Sequence, residues 1–428
     1  MLHSRRTFVE SLAAGFIAAP FCASESLAVS PKDQPRKRLA VVTTLWTYGT
    51  HAWHMAERFL VGYPKFGKWH RPPFDVVSAY VDQRPKGDLS ASRAEEFGFK
   101  VYTTVAEAIR AGGDKLGVDG VLLIGEHGDY PVNDFGQKLY PRYELFKQIV
   151  EVFRNANFTV PVFNDKHLSW NFDYAKEMVA TARVMDFPLL AGSSLPVTWR
   201  MPAIELPRDA EVEEALVVAF GSTDHYDFHA LEAMQSFIER RRGGETGVAS
   251  VEALRDDAVW KLLETTNFES GGLDPNLFEA CLSRSHTLQQ PESFSHRRPT
   301  MEQVRKFVKS PIAYRLLYND GLRATMLLMN GLVRDFNVAA RLKSPTGEIL
   351  STQFHLPPNP NVAYSVGLMS NAEAMFTSGK PPYPVERTLL TSGLVQSGLH
   401  SLKLGKKLET PHLAVRYTPS AESTFLRS

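Results

Sequence analysis

Three short segments gather residues that can move protons or bind ligands. The first, Glu126-His127-Gly128-Asp129-Tyr130, directly follows the apolar run Gly120 to Gly125. A charged pentapeptide at the end of a buried strand lies in a loop of the kind that faces clefts; its plainer role is a solvated turn. The second is Asp165-Lys166-His167, again after an apolar run. A lysine beside a hydroxyl can ease its ionisation or take part in proton transfer; otherwise it is a surface charge. The third is Asp224-His225-Tyr226-Asp227-Phe228-His229-Ala230-Leu231-Glu232. On a helix, His225, His229 and Glu232 fall one and two turns apart and share a face. Imidazole titrates near neutral pH, which suits it to general acid–base work. The same spacing permits a divalent metal on His225, His229 and Glu232, or with a carboxylate from Glu126 or Asp129. No His-Glu-x-x-His signature accompanies it.

Such segments need a frame, and the hydrophobic pattern supplies one. Short apolar runs at 39–42, 75–81, 101–102, 120–125, 160–163 and 188–192 alternate with helical patterns at 50–60, 90–97, 104–111, 143–156 and 174–185. Apolar strands alternating with helices predict a parallel sheet covered on both faces. After Pro202 the texture changes. A strand at 214–220 and a helix at 226–242 precede strand-like stretches at 324–333, 337–342 and 412–417, with Pro-rich loops between them. The fold class expected is an α/β Rossmann-like parallel sheet domain followed by an α+β domain with an open, mostly antiparallel sheet. The boundaries expected are a linker at 29–38, the first domain at 39–200, the second at 201–418 and a tail at 419–428.

With 428 residues the chain suits two domains. Lys and Arg total 48 against 47 Asp and Glu, which argues against a nucleic-acid partner. Beyond the N-terminal segment no apolar run approaches a membrane span. Arg5-Arg6, the mild apolar stretch 11–19 and the small residues up to Ala28 read as a twin-arginine export signal, 1–28. The expected address is therefore the periplasm or another extracytoplasmic compartment, with the twin-arginine translocase as partner during export. The mature chain keeps only Cys281, read as a small core residue.

The layout resembles the glucose-fructose oxidoreductase / inositol dehydrogenase / MocA (Gfo/Idh/MocA) family. Four segments carry the resemblance: Val118 to His127, Phe163 to Ser169 with the helix behind it, Leu190 to Arg200, and Tyr383 to Gly393. The resemblance implies a substrate and oligomerisation domain at 201–418, a sugar or polyol substrate, association into a homo-oligomer and hydride transfer to NAD or NADP. Lys166 matches the family's catalytic lysine and His229 its catalytic histidine. Glu232 matches its trailing acid, while His225 stands where the family has a leading acid. His229 or Lys166 would then take the hydroxyl proton. Arg200 is a candidate for a substrate carboxylate or phosphate. Trp199 and Trp170 are candidates for stacking on a sugar face, and core packing is their plainer role. Glu126, His127 and Asp129 complete the expected substrate contacts.

The phosphate loop departs from the pattern. A dinucleotide site wants G-x-G-x-x-G after the first strand, so that backbone can approach the pyrophosphate. The register Thr44-Leu45-Trp46-Thr47-Tyr48-Gly49 keeps only the last glycine. Trp46 stands where bare backbone is wanted, and its indole would fill the pyrophosphate volume unless the loop takes another path. Asp82 occupies the place of the acid that holds ribose hydroxyls. His51 and His54, on the next helix, read as packing residues or as cleft-facing ones. Three functions stay open on this reading: hydride chemistry with nicotinamide, metal-assisted or acid–base sugar chemistry without net redox, and a carbohydrate-binding role.

Overall fold

In the computed structural model the described residues are 35–293, 295, 297–358 and 363–427. The expected export signal lies outside them. Chain compactness separates residues 1–36 from the body Lys37–Ser428.

The first half builds a sheet. Its elements are β1 (Lys37–Leu45), a π-helical turn (Ala52–Ala56) running into α1 (Glu57–Val61), a hairpin of β2 (Tyr63–Lys65) and β3 (Lys68–His70), β4 (Phe74–Gln83), α2 (Ser90–Phe97), β5 (Lys100–Tyr102), α3 (Val105–Arg110), β6 (Gly120–Ile124), α4 (Arg142–Ala156), β7 (Val162–Asp165), α5 (Phe172–Val184) and β8 (Leu189–Gly192). Six strands form one sheet in the order β5-β4-β1-β6-β7-β8, every neighbour parallel. β1 and β6 read as unbroken apolar runs because both faces are covered: Leu39 to Val42 and Val121 to Ile124 have no exposed surface. Helix starts follow local chemistry. Thr104 and Glu107 close a capping box on α3, and the Asn171 side chain accepts two N–H groups of α5.

The second half adds β9 (Arg200–Met201), β10 (Val212–Ala219), α6 (Tyr226–Ile238), β11 (Val248–Arg255), α7 (Asp257–Glu264), α8 (Pro275–Arg284), α9 (Met301–Phe307), β12 (Ile312–Tyr318), β13 (Arg323–Leu328), β14 (Phe336–Leu342), β15 (Ile349–Phe354), α10 (Tyr364–Ser378), α11 (Glu386–Leu404) and β16 (Leu408–Glu409). Eight strands run in the order β16-β11-β12-β13-β10-β14-β15-β9, and only β10–β13 is parallel. This is the expected class: a parallel Rossmann-like sheet, then an open, mostly antiparallel one. Helices nevertheless cover both faces of the second sheet. α6 and α11 share one core with it, while α7 to α9 bury Trp260, Phe278 and Cys281 against Leu216 and Leu327 on the other side. The stretch 412–417, expected as a strand, begins in a 3-10 turn (Pro411–Leu413), and its end makes one isolated bridge from Tyr417 to Glu245.

One long-range contact matters for the site. α10 comes late in the chain yet packs on the first sheet, where Met375 and Phe376 join Leu39, Phe59 and Phe74. Each such fully buried side chain contributes about 1.5–3 kcal/mol. The C-terminal edge of the parallel sheet, the start of α6 and the β14–β15 end of the second sheet thereby meet around one cavity.

Candidate active site

That cavity holds about 750 Å³. Three non-glycine residues on loops around it take left-handed backbone: His127 (φ 71°), Lys166 (φ 66°) and Asp224 (φ 68°). Such strained residues cluster at functional sites.

Lys166 follows β7, and His229 sits in the first turn of α6. Their side chains meet: Lys166 Nζ lies 2.8 Å from His229 Nε2. The other two reaches of the ammonium are to the His225 carbonyl at 3.4 Å and to Glu126 Oε1 at 3.7 Å. Because Lys166 donates to Nε2, the hydrogen-bond network assigns the His229 proton to Nδ1, which donates to Ser193 Oγ at 2.5 Å. Burial, reinforced by the Lys166 charge, holds the His229 imidazole well below its ordinary range. Burial alone would push Glu126 up, but Lys166, Arg142 and His225 together hold it well below the usual carboxylate range. Arg142, the first residue of α4, pairs with Glu126 and reaches His167 Nε2 at 3.2 Å.

A second pair shares the floor. His51 Nδ1 lies 2.5 Å from Asp165 Oδ2, and among the described residues no other hydrogen bond engages the His51 ring. Burial pushes the Asp165 carboxyl up to about 7 and the His51 imidazole down to about 3. With Asp165 ionised, Nδ1–H donates to it and the Nε2 lone pair is a base. The His51 ring packs edge-on against those of His54 and His127, each 4.8 Å away between centroids. Tyr140, Tyr226, Phe336 and Tyr364 supply aromatic walls.

Of the expected residues, Lys166, His225, His229, Glu126 and His127 line the cavity. The expected metal set does not converge. His225 precedes α6 with non-helical backbone (φ −125°) and turns to Glu126. Glu232 accepts from Thr391 at 2.6 Å, Thr388 at 3.1 Å and the Ser193 N–H at 3.3 Å. Gly192 makes room for that carboxylate, because a Cβ there would stand 2.9 Å from Glu232 Oε2. Among the described residues no group of three His, Cys, Asp or Glu is arranged to hold a metal. Arg200 also departs from expectation. It is buried, its guanidinium lies 4.8 Å and 4.3 Å from the ring centroids of Phe354 and Phe425, and it does not line the cavity. Trp199, Trp170 and Asp129 lie outside the lining too. Arg142 and Ser193 were not among the expected site residues, Asp165 was expected only within the Asp165-Lys166-His167 segment, and His51 only as a packing or cleft-facing residue. The one signal for His51 and Asp165 was their position at sheet-edge ends of elements.

The residues at the dinucleotide position do not fit that group. Trp46 is fully buried; its ring stacks on Phe99 and its Nε1 donates to Glu57 at 3.2 Å. The loop thus takes another path, and the indole does not fill the crevice. The turn is closed on itself, however, since the Thr47 N–H donates to Thr50 Oγ1 at 3.1 Å. Thr44 Oγ1 donates to the Glu126 carbonyl at 2.7 Å, stitching β1 to β6. Asp82 already accepts the hydroxyls of Tyr80 at 2.8 Å and Tyr130 at 2.6 Å. Gln83 and the Asp129 backbone exchange two hydrogen bonds, at 2.9 and 3.0 Å. The loop Glu126–Tyr130 therefore runs from β6 to β4 over the end of β1, which lies between them. None of Trp46 to Gly49 lines the cavity.

No protein-family model and no curated protein matches the sequence. Solved structures share the fold. GenD2 from gentamicin A biosynthesis, crystallised in complex with NAD, is 12% identical with a TM-score of 0.53, over 88% of this chain and 97% of that one. A probable dehydrogenase from Thermotoga maritima is 13% identical at TM-score 0.52, over 88% and 99%. Apo scyllo-inositol dehydrogenase from Lactobacillus casei is 9% identical at TM-score 0.51, over 88% and 98%. At these identities the likeness establishes the fold alone, a parallel Rossmann-like sheet followed by an open, mostly antiparallel one.

Proposed function

We propose that the chain is an enzyme acting on a sugar or polyol, and that its chemistry begins with removal of a carbinol hydroxyl proton in this cavity. The observation that carries the reading is the 2.8 Å meeting of Lys166 and His229 beside the His51–Asp165 pair on one cavity floor. The substrate O–H bond breaks and its proton goes to His51 Nε2. The Lys166 ammonium, oriented by His229 and Glu126, stabilises the oxygen left negative. Ser193, whose backbone N–H is held by Glu232, accepts from His229 Nδ1 and so holds His229 in the tautomer that receives the lysine. Aromatic walls suit the C–H faces of a sugar ring, and the fold is shared with dehydrogenases, one of them acting on scyllo-inositol.

A second reading, an oxidoreductase passing hydride to nicotinamide, is favoured by the NAD bound to GenD2. The latched crevice opposes it. Export by the twin-arginine route is part of the proposal and rests on Arg5-Arg6 and the stretch that follows. Among the described residues no helix is long and apolar enough to cross a membrane.

The test is mass spectrometry of the small molecule released when natively purified protein is denatured. A sugar or polyol supports the first reading, and a stoichiometric nicotinamide moves the assignment to the second. Sugar binding unaffected by Lys166→Ala and His51→Ala would leave a binding protein.

A further inference from the structure

The cavity has a second polar end, which the proton transfer does not use. Three loops build it: His286 and Thr287 after α8, Arg334 and Asp335 before β14, and His355 after β15. Asp335 knits them together. Its buried carboxylate accepts from Ser285 Oγ at 3.0 Å, the N–H groups of His286 and Thr287 at 2.9 and 3.2 Å, Asn337 Nδ2 at 2.6 Å and Gln353 Nε2 at 2.7 Å. Neutral donors saturate this carboxylate, and the Arg334 side chain is not among them.

Arg334 is fixed at its root, where its N–H donates to Thr287 Oγ1 at 2.7 Å. Its guanidinium is exposed and makes no hydrogen bond or ion pair among the described residues. The His355 backbone is anchored as well, donating to the Trp199 carbonyl at 2.9 Å. Burial and the nearby His286 both lower the His355 imidazole, so the two rings are within electrostatic reach. One end of the cavity thus presents an uncommitted guanidinium, two imidazoles and a hydroxyl, and its one carboxylate is already engaged. Planar forked donors of this kind complement oxyanions.

We propose that this end of the cavity binds an oxyanionic group, a carboxylate or a phosphate ester, carried by the same sugar or polyol whose hydroxyl meets Lys166 and His51. This rests on the sugar or polyol reading above and narrows it to acidic substrates. Arg334 is the specificity-determining residue.

The test is calorimetric titration at low salt with four probes: glucuronate, glucose 6-phosphate, glucose and myo-inositol. At least one of the two anionic probes should bind about tenfold or more tightly than the neutral ones. Which of the two does so identifies carboxylate or phosphate. Arg334→Gln, at an exposed position, should remove that advantage and leave the affinity for neutral probes unchanged. Anionic probes that bind no more tightly than neutral ones, or an advantage that survives Arg334→Gln, overturn the proposal and leave the sugar reading standing. If none of the four binds and no sugar or polyol is released on denaturation, the underlying reading and this proposal fall together.

Discussion

The proton state of the His51–Asp165 pair should control reactivity at the cavity floor, and it can be read without knowing the substrate. Two groups 2.5 Å apart titrate as one unit. Its upper step is the Asp165 carboxyl, lifted by burial to about 7; its lower step is the His51 imidazole, pushed down to about 3. Above the upper step the pair holds one proton, shared between Nδ1 and the carboxylate, and Nε2 is a free base. Below it a second proton occupies Nε2. A step near 7 leaves the base about nine-tenths free at pH 8 and about one-tenth free at pH 6. Carbethoxylation of His51 by diethyl pyrocarbonate, followed peptide by peptide with mass spectrometry, should therefore slow about tenfold between these pH values. In Asp165→Asn the upper step is gone, and the His51 rate should be flat over the same range. A wild-type rate that is already flat, or an unchanged slope in Asp165→Asn, would refute the reasoning.

Three further expectations follow from the same geometry. Lys166→Met should lower turnover of the released substrate about 10²- to 10⁴-fold, and in an NMR titration it should raise the His229 imidazole, which the lysine charge helps hold down. An unmoved His229 would show that the pair is not in contact. Stability should fall on acidification from pH 6 to 5. The buried imidazoles of His51, His54, His127, His167 and His229 are all lowered, so the unfolded chain gains protons there that the folded chain refuses. Buried Asp165, Glu214, Asp224, Asp227 and Glu232 are raised and oppose this, but the imidazoles of His355, His400 and His412 are lowered too, so the lowered imidazoles are the more numerous. Chemical denaturation at the two pH values checks the sign. NADH fluorescence should show no saturable binding below millimolar concentration, whereas micromolar binding would mean that the Tyr130–Asp82 latch opens.

The parallel half was legible because strands buried on both faces leave unbroken apolar runs, as in Val121 to Ile124. Strands such as β11 and β12 were not, since one face packs on α11 and the pattern mixes charge with apolar residues, as in Glu252 and Arg315. The 412–417 stretch has strand-like residues, yet Thr410 anchors it to Val248 through a side-chain hydrogen bond and the chain turns there. Lys166, Glu126 and His229 were legible as chemistry at element ends. The reading of His225 as helical failed because Asp224 takes left-handed backbone (φ 68°) just before the helix. Arg200 looked like a ligand because a charge in an aromatic sandwich cannot be told from a free one in sequence. Arg334, His286 and His355 come from three separate loops, so only the folded second sheet brings them together.

A crystal structure of the protein with the polyol or sugar released from it tests the central claim most directly. The expected result is a ligand hydroxyl oxygen within hydrogen-bond distance, about 2.6–3.2 Å, of both His51 Nε2 and Lys166 Nζ. A ligand bound elsewhere, or one turning only C–H groups toward these two nitrogens, would contradict it.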